Sequence, residues 1–498
     1  MKRYILAIDQ GTTSTRAILF DKNGQVVKKS QQRIPQYYPH PGWVEQDVNE
    51  IWNSVLAVIS ECLGKSGITA SEIAGIGITN QRETTVVWDK KTGQPIYSAI
   101  VWQSKQTTSL TEKWRNQGYA TLFYERTGLV LDAYFSASKL CWILDHVEGA
   151  REKAKRGELL FGTIDTWLLW KLTDGEVHAT DYTNASRTML FNINEGKWDD
   201  EILRRLDIPK SLLPEVHDNA HIFGYTAPHH FYEQKIPISG MAGDQQASLF
   251  GHGMLEPGML KSTYGTGAFI MMNTGLERIY SRCGLLTTIA YVLDGEIHYA
   301  LEGSVFIAGS AIQWLKDNLE ILADAKVSEE EARKVKDTNG VYIVPSFTGL
   351  GTPYWNEKVR GSIFGLTRGT KKEHLIRATL ESIAYQTRDV IDAMNHEAQL
   401  PLSILRVDGG AANNNLLLQF QANILGLNVE RAPIFETTAL GVAYFAGLAV
   451  GFWNNIEEIK QLNSTGRIFK SNMQEEEREK LYRGWKKAIE ATIQFSED

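Results

Sequence analysis

Apolar and polar positions along the first eighty residues predict three strands, a helix and a fourth strand. Tyr4–Ile8 is an apolar run of β-type residues that ends in the turn Asp9-Gln10-Gly11-Thr12. Arg16–Phe20 reads as a second strand, Asp21-Lys22-Asn23-Gly24 as a hairpin turn and Gln25–Arg33 as a third strand. Asn49 is placed to cap a helix whose apolar face is Ile51, Trp52, Val55, Ile59 and Cys62. Ile73–Thr79 returns as a strand, although Gly75 and Gly77 are poor strand residues.

The second half offers the same order. Leu260–Tyr264, Ala268–Met272 and Leu286–Val292 read as strands, with Glu296–Leu301 as an extra one. Ser304–Leu322 reads as a helix that buries Ile307, Ala311, Trp314, Leu315 and Leu319, and Val341–Val344 as the strand after it. Further on, helices His374–Asn395, Asn414–Leu425 and Thr438–Phe452 alternate with strands Ile404–Val407 and Val429–Arg431, and a last helix is expected at Gln474–Phe495. Such alternation predicts an α/β fold with a largely parallel sheet covered by helices. The repeated order hints at duplication. The switch is expected near Gly243–Pro257, giving domains 1–249 and 250–498.

Length supports two domains, because 498 residues exceed what one core organises. A net charge of −7 argues against a nucleic-acid-binding surface. The three cysteines, Cys62, Cys141 and Cys283, are too few and too scattered for a disulfide framework and fit a reducing compartment. The N-terminus has no secretory apolar core, and the longest apolar stretch, Ala439–Trp453, falls short of the ~20 residues of a membrane span. A cytoplasmic enzyme without a membrane segment is expected.

Three apolar strands run into turns of small residues: Asp9–Ser14, Gly265-Thr266-Gly267 and Asp408-Gly409-Gly410-Ala411. Glycine lets backbone approach a ligand, exposed amides and hydroxyls donate to phosphate oxygens, and an Asp at a strand end can hold Mg²⁺ through water. One such turn is equally an ordinary connection; three, one starting each strand series, suggest a nucleotide. No P-loop and no G-x-G-x-x-G is present. Arg82-Glu83 follows a strand and can grip two hydroxyls of one small molecule if both residues lie beyond the strand end; the alternative is a surface ion pair. Asp244, flanked by glycines, can orient and deprotonate a hydroxyl or simply cap the helix that follows. Trp102 and Tyr134 offer an apolar floor and a hydroxyl. His217 and His221 have helical metal spacing, but Pro214, Asn219 and Gly224 argue against a helix there.

Two long segments resemble the signatures of the sugar-kinase family that includes glycerol, xylulose and gluconate kinases. One is Tyr134-Phe135-Ser136-Ala137-Ser138-Lys139-Leu140-Cys141-Trp142-Ile143-Leu144-Asp145-His146; the other runs from Gly361-Ser362-Ile363-Phe364-Gly365-Leu366 to His374–Glu381. The resemblance spans essentially the whole chain. It implies the actin–hexokinase architecture: two ribonuclease-H-like domains with mixed sheets flanked by helices, an interdomain cleft and ATP at the hinge. Asn80-Gln81-Arg82-Glu83-Thr84, Val101-Trp102-Gln103 and Gly243-Asp244-Gln245-Gln246 resemble the glycerol-specific members. The activity implied is transfer of the terminal phosphate of ATP to glycerol, giving sn-glycerol 3-phosphate, the first step of glycerol catabolism. By that resemblance Arg82, Glu83, Tyr134, Asp244 and Gln245 bind glycerol, Trp102 packs on its carbons, and Asp244 is the general base. Asp9 positions Mg²⁺. Thr12, Thr13, Ser14 and Arg16 contact phosphates, Thr266, Gly309 and Gln313 line the nucleotide site, and Gly410 and Asn414 hold the adenosine end. Similar enzymes are homodimers or homotetramers.

The segment Tyr225–Lys235 lacks the glycines with which some members bind fructose 1,6-bisphosphate. His230-Phe231-Tyr232 instead resembles the loop of members activated when the phosphocarrier protein of the sugar phosphotransferase system phosphorylates that histidine; Glu233 stands where a glycine often follows. Two other readings remain open: a kinase for a different polyol or ketose, and a nucleotide-gated binding protein without a small-molecule acceptor.

Overall fold

The computed structural model describes residues 2–356, 358–434, 436–462 and 466–496. The chain forms two compact units. The first comprises Met1–Gly253, Thr287–Tyr299 and Glu436–Asn463, and the second Met254–Leu286, Ala300–Phe435 and Ser464–Asp498. The first unit thus takes in two segments from beyond residue 249.

The first unit is built on strands β1 (Tyr4–Gln10), β2 (Ser14–Phe20), β3 (Val26–Arg33), β4 (Ile73–Asn80), β5 (Ala220–Tyr225) and β6 (Pro237–Gly243), in the sheet order β3-β2-β1-β4-β6-β5. β1, β2 and β3 form an antiparallel meander, while β4 and β6 run parallel to β1. Asp9 pairs with Thr79 and Thr79 with Ala242, so the carboxyl ends of β1, β4 and β6 finish level in neighbouring positions. Helix α1 (Val48–Ser66) buries the predicted stripe, but its cap is Asp47, whose carboxylate accepts from the Asn49 amide at 2.8 Å, and not Asn49 itself. The glycines that weakened the strand reading of β4 have a packing reason. A Cβ on Gly75 would lie 2.5 Å from Ser239 Oγ and one on Gly77 2.5 Å from the Val442 carbonyl; on neighbouring β6, one on Gly240 would lie 2.4 Å from the Ala446 amide. The apolar helix Thr437–Ala449 therefore lies directly on backbone of β4 and β6.

The second unit repeats this plan. β7 (Leu260–Tyr264) pairs antiparallel with β8 (Ala268–Gly275) and parallel with β9 (Leu405–Asp408), which pairs parallel with β10 (Val429–Arg431). β11 (Arg467–Phe469) closes the edge antiparallel. One expectation needs correction. The helix expected over Ser304–Leu322 is only Gly309–Asp317, because the strand Glu296–Val305 runs further than its apolar pattern suggested. The strand expected at Val341–Val344 forms at Tyr342–Val344 and pairs antiparallel with Ser362–Phe364, while the parallel neighbour of β7 is β9. The long helix Lys372–Ala398 packs on the C-terminal helix Glu475–Phe495: Tyr385 stacks on Trp485 at 5.3 Å, and buried Asp389 accepts from Tyr482 and Trp485 at 2.6 and 2.7 Å. Among the described residues, no helix is long and apolar enough to cross a membrane.

Candidate functional site

In open α/β sheets ligands gather at the carboxyl ends of parallel strands, where loops leave in different directions. In the first unit these ends carry most of the predicted site. β4 ends at Asn80, and Glu83 takes a left-handed backbone, φ 60°, which turns the chain so that Arg82 and Glu83 serve one place. They are not a surface pair: both side chains are only 2% exposed. Arg82 Nε lies 3.3 Å from Asp244 Oδ1 and 3.8 Å from Glu83 Oε1, and its Nη1 donates to Gln246 Oε1 at 3.1 Å. Asp244 follows β6 as the first residue of a helix (Asp244–Gly251), where its Oδ1 accepts from the Gln245 amide at 2.8 Å. Its cap is Gly243, so Asp244 is not the helix cap. Its side chain is 29% exposed, the accessible member of an otherwise buried charge cluster.

Trp102 and Tyr134 are partly exposed and meet edge to face at 5.6 Å. The carbonyls of Ala133, Tyr134 and Phe135 all accept from buried Lys139 Nζ, at 2.6, 2.6 and 3.1 Å, which fixes that loop. Burial pulls the Lys139 ammonium down to about 7, against the opposing pull of Glu83. Trp102 Nε1 donates to Thr12 Oγ1 at 2.9 Å, so the aromatic floor touches the first glycine turn directly. That turn is closed by Gly11 N donating to Ser14 O at 2.9 Å, with Thr13 at its exposed tip.

Asp9 and Arg16 face each other across β1 and β2, with Arg16 Nη1 3.1 Å from Asp9 Oδ2. Burial holds the Asp9 carboxyl above its ordinary range, while Arg16 pulls it down and Glu436 pushes it further up. Glu436 lies 3.6 Å from the same guanidinium and also pairs with Lys29. Hard carboxylate oxygens at a strand end suit Mg²⁺, which keeps most of its waters and takes one or two carboxylates.

The second unit gathers its predicted residues in the same manner. The turn after β7 bonds to the start of the helix Gly309–Asp317: Gly309 N donates to Gly265 O at 3.0 Å and Ser310 N to Thr266 O at 3.1 Å. A Cβ on Gly309 would lie 2.5 Å from the Gly265 carbonyl, so only glycine allows this approach. Gln313, one turn on, is exposed and donates to Asp317 at 2.6 Å. Gly409, at φ +89°, passes so near Tyr264 that a Cβ would meet its carbonyl at 2.5 Å, which sets Gly410 beside the Thr266 turn. Asn414 is committed to the fold: its side chain accepts from Leu417 N at 2.9 Å as a helix cap and donates to Ser328 at 3.3 Å. His217 and His221 lie on or beside short strands and stack at 4.3 Å, and His230 ends a three-residue turn with its half-buried ring 5.1 Å from Trp52.

Sequence reasoning missed the residues that brace these groups. Arg187 Nε donates to Glu83 Oε1 at 2.6 Å. Gln46 reaches the Thr12 carbonyl at 2.7 Å and accepts from Gln81 at 2.8 Å. The one available signal was the polar run Thr183–Thr188, too rich in hydrogen-bonding side chains to be buried without a purpose.

Residues 4–251 match the N-terminal domain of the FGGY family of carbohydrate kinases, and residues 260–450 match its C-terminal domain. The chain is 61% identical over 496 residues to a glycerol kinase of Streptococcus pneumoniae (strain ATCC 700669 / Spain 23F-1), covering 100% of this chain and 99% of that relative. Its structure is similar to that of Plasmodium falciparum glycerol kinase with ADP, with a TM-score of 0.92, 36% identity and 98% of each chain covered. A gluconate kinase from Lactobacillus acidophilus shares the fold at a TM-score of 0.88 and 21% identity, over 99% of this chain and 98% of that one. With the two-domain actin–hexokinase-type fold, matched domains in both halves and a full-length relative, this chain belongs to the FGGY family of carbohydrate kinases.

Proposed function

We propose that this enzyme transfers the γ-phosphoryl group of MgATP to a terminal hydroxyl of glycerol, giving sn-glycerol 3-phosphate. The observation that carries the reading is the accessible Asp244 carboxylate held by buried Arg82 beside buried Glu83, level with the Asp9–Ser14 turn at the end of the same sheet. Arg82 donates to one glycerol hydroxyl and Glu83 accepts from another, so a triol is gripped at two points while Trp102 and Tyr134 cover its carbons. Asp244 then accepts the proton of the third hydroxyl as that oxygen attacks phosphorus. Arg16 and the amides and hydroxyls of Thr12, Thr13 and Ser14 receive the charge spread over the transferring group. Thr266, Gly309 and Gln313 line the nucleotide site, and Gly410 and Asn414 hold the adenosine end. Mg²⁺, held through water by Asp9, would neutralise phosphate charge.

Chemistry of this kind is tested by ADP release coupled to an indicator, with glycerol, xylulose or dihydroxyacetone as acceptor. Glycerol should support turnover with one phosphorylated triol formed per ADP. Equal turnover with xylulose would instead favour another acceptor, and acceptor-independent ADP release a nucleotide-gated binding protein.

His230 is the proposed regulatory residue, modified by the phosphocarrier protein of the sugar phosphotransferase system. It lies on the connection between β5 and β6, two residues from Tyr232, which is 63% exposed. Activation of the wild type, with none in His230→Ala, is the expected result on incubation with the phosphorylated carrier; equal response in both refutes it. Assembly as a homodimer or homotetramer is proposed by similarity, with sedimentation as its test.

A further inference from the structure

The acceptor site is drawn from three stretches far apart in the chain: Arg82-Glu83, Tyr134 and Asp244. One short segment, Thr180–Thr188, touches Glu83, Tyr134 and Gly243, the residue before Asp244. Apart from Tyr182, it is buried. Asp181 caps the four-residue helix Tyr182–Ala185: Oδ2 accepts from the Thr183 amide at 2.6 Å and Oδ1 from Asn184 Nδ2 at 2.7 Å. Asn219 anchors the same carboxylate, donating to Oδ2 at 2.8 Å.

From this anchored turn three contacts leave for the site. The Thr183 hydroxyl donates to Asp181 and accepts from the Gly243 amide at 2.9 Å. Gly243 immediately precedes Asp244, so the bond fixes the main chain from which the base projects. Asn184 and Asn80 exchange reciprocal side-chain bonds, both at 3.0 Å, at the end of β4, three residues before Glu83. Arg187 donates to Glu83 Oε1 at 2.6 Å, and its guanidinium carbon lies 5.6 Å over the Tyr134 ring. Thr188 O accepts from the Ala137 amide at 2.8 Å, tying down the Tyr134 loop from its other side.

We propose that Thr183 and Arg187 are positioning residues for the phosphorylation reaction, Thr183 setting the base Asp244 and Arg187 setting the hydroxyl acceptor Glu83. The proposal rests on the assignment of Asp244 and Glu83 to the acceptor site. Neither positioning residue needs to touch glycerol. Their effects differ, because one sets a group that acts in the chemical step and the other a group that holds the substrate throughout. A displacement of even 1 Å at a reacting group is enough to reduce turnover strongly.

The test is steady-state kinetics of the full-length enzyme, with active sites counted by ATP binding. Thr183→Val keeps the shape and removes the hydroxyl; kcat should fall about tenfold or more with KM for ATP unchanged, and Thr183→Ser should restore most of it. Arg187→Met should raise KM for glycerol about tenfold or more, and Arg187→Lys less. Glu83→Gln is the control. If it leaves KM for glycerol unchanged, the acceptor-site assignment itself fails. If it raises that KM while both Arg187 variants leave it unchanged, positioning by Arg187 is overturned, and unchanged kcat per active site in Thr183→Val overturns positioning by Thr183. Lowered thermal stability with both kinetic constants intact would mean that the segment only supports the fold. Should Thr183→Val not fold, the Arg187 pair decides the proposal.

Discussion

Replacing Arg82 by Met retains a side chain of similar length and removes the charge that holds Asp244 and Glu83 together. At the observed 3.3 Å the Arg82–Asp244 attraction has a gross value of about 5 kcal/mol at an effective dielectric constant of ~20. Solvent reduces it, since Asp244 is 29% exposed. Glu83 is 2% exposed but keeps Arg187 at 2.6 Å, so it is not left wholly uncompensated. Removing one partner of a buried pair costs roughly 3–5 kcal/mol, and the surviving Arg187 contact places this case at about 3. For a large unit that corresponds to a fall in Tm of about 6–12 °C. Lost hydrogen bonds to a charged donor should also raise KM for glycerol by roughly ten- to hundredfold. Calorimetry and steady-state kinetics read the two effects separately. Arg82→Lys restores charge without the planar fork and should recover stability more than KM. A Tm within about 2 °C of wild type, together with an unaltered KM for glycerol, would refute the reasoning.

Other predictions concern the scaffold. Glu233 sits at φ 64°, and Glu233→Gly should raise stability by about 0.5–1 kcal/mol, the relieved left-handed strain less the entropy of glycine, measured by denaturant unfolding. Gly77→Ala would drive a Cβ into the Val442 carbonyl and should destabilise the protein by about 3 kcal/mol or reduce its soluble yield. Burial pushes the Glu381 carboxyl up to about 7, against the pull of Arg377, so the folded state holds its proton where the unfolded chain has lost it. The linked stability is present below about pH 4.5 and fades as pH rises through about 7, and Glu381→Gln should flatten Tm against pH across that window.

The strands and the three glycine turns were legible because each pairs a β-type apolar run with residues that only a tight bend requires. Arg82, Glu83 and Asp244 stood out as candidates, each beside a plainer reading that the structure does not bear out: the Arg-Glu pair is buried and not on the surface, and the helix cap is Gly243. What the pattern did not show was register and long-range bracing. The polar run Thr183–Thr188 hints at a buried network, but nothing local shows what Thr183 and Arg187 brace, because their partners, Gly243 and Glu83, lie 60 and 104 residues away. The short helix at Gly309–Asp317 was overestimated because Ile307 and Leu319, which lie outside it, continue the helical spacing of Ala311, Trp314 and Leu315. Asn414 also caps the helix Asn415–Leu425, a second use of its side chain that the resemblance did not indicate.

The account stands on Asp244 taking the proton from the acceptor hydroxyl. Asn at this position can still accept from the Gln245 amide and from Arg82, so the fold and ATP binding should survive Asp244→Asn. Glycerol-dependent ADP formation should fall by roughly two to four orders of magnitude while the affinity for ATP stays within about twofold. Turnover near the wild-type rate in this variant would contradict the central claim.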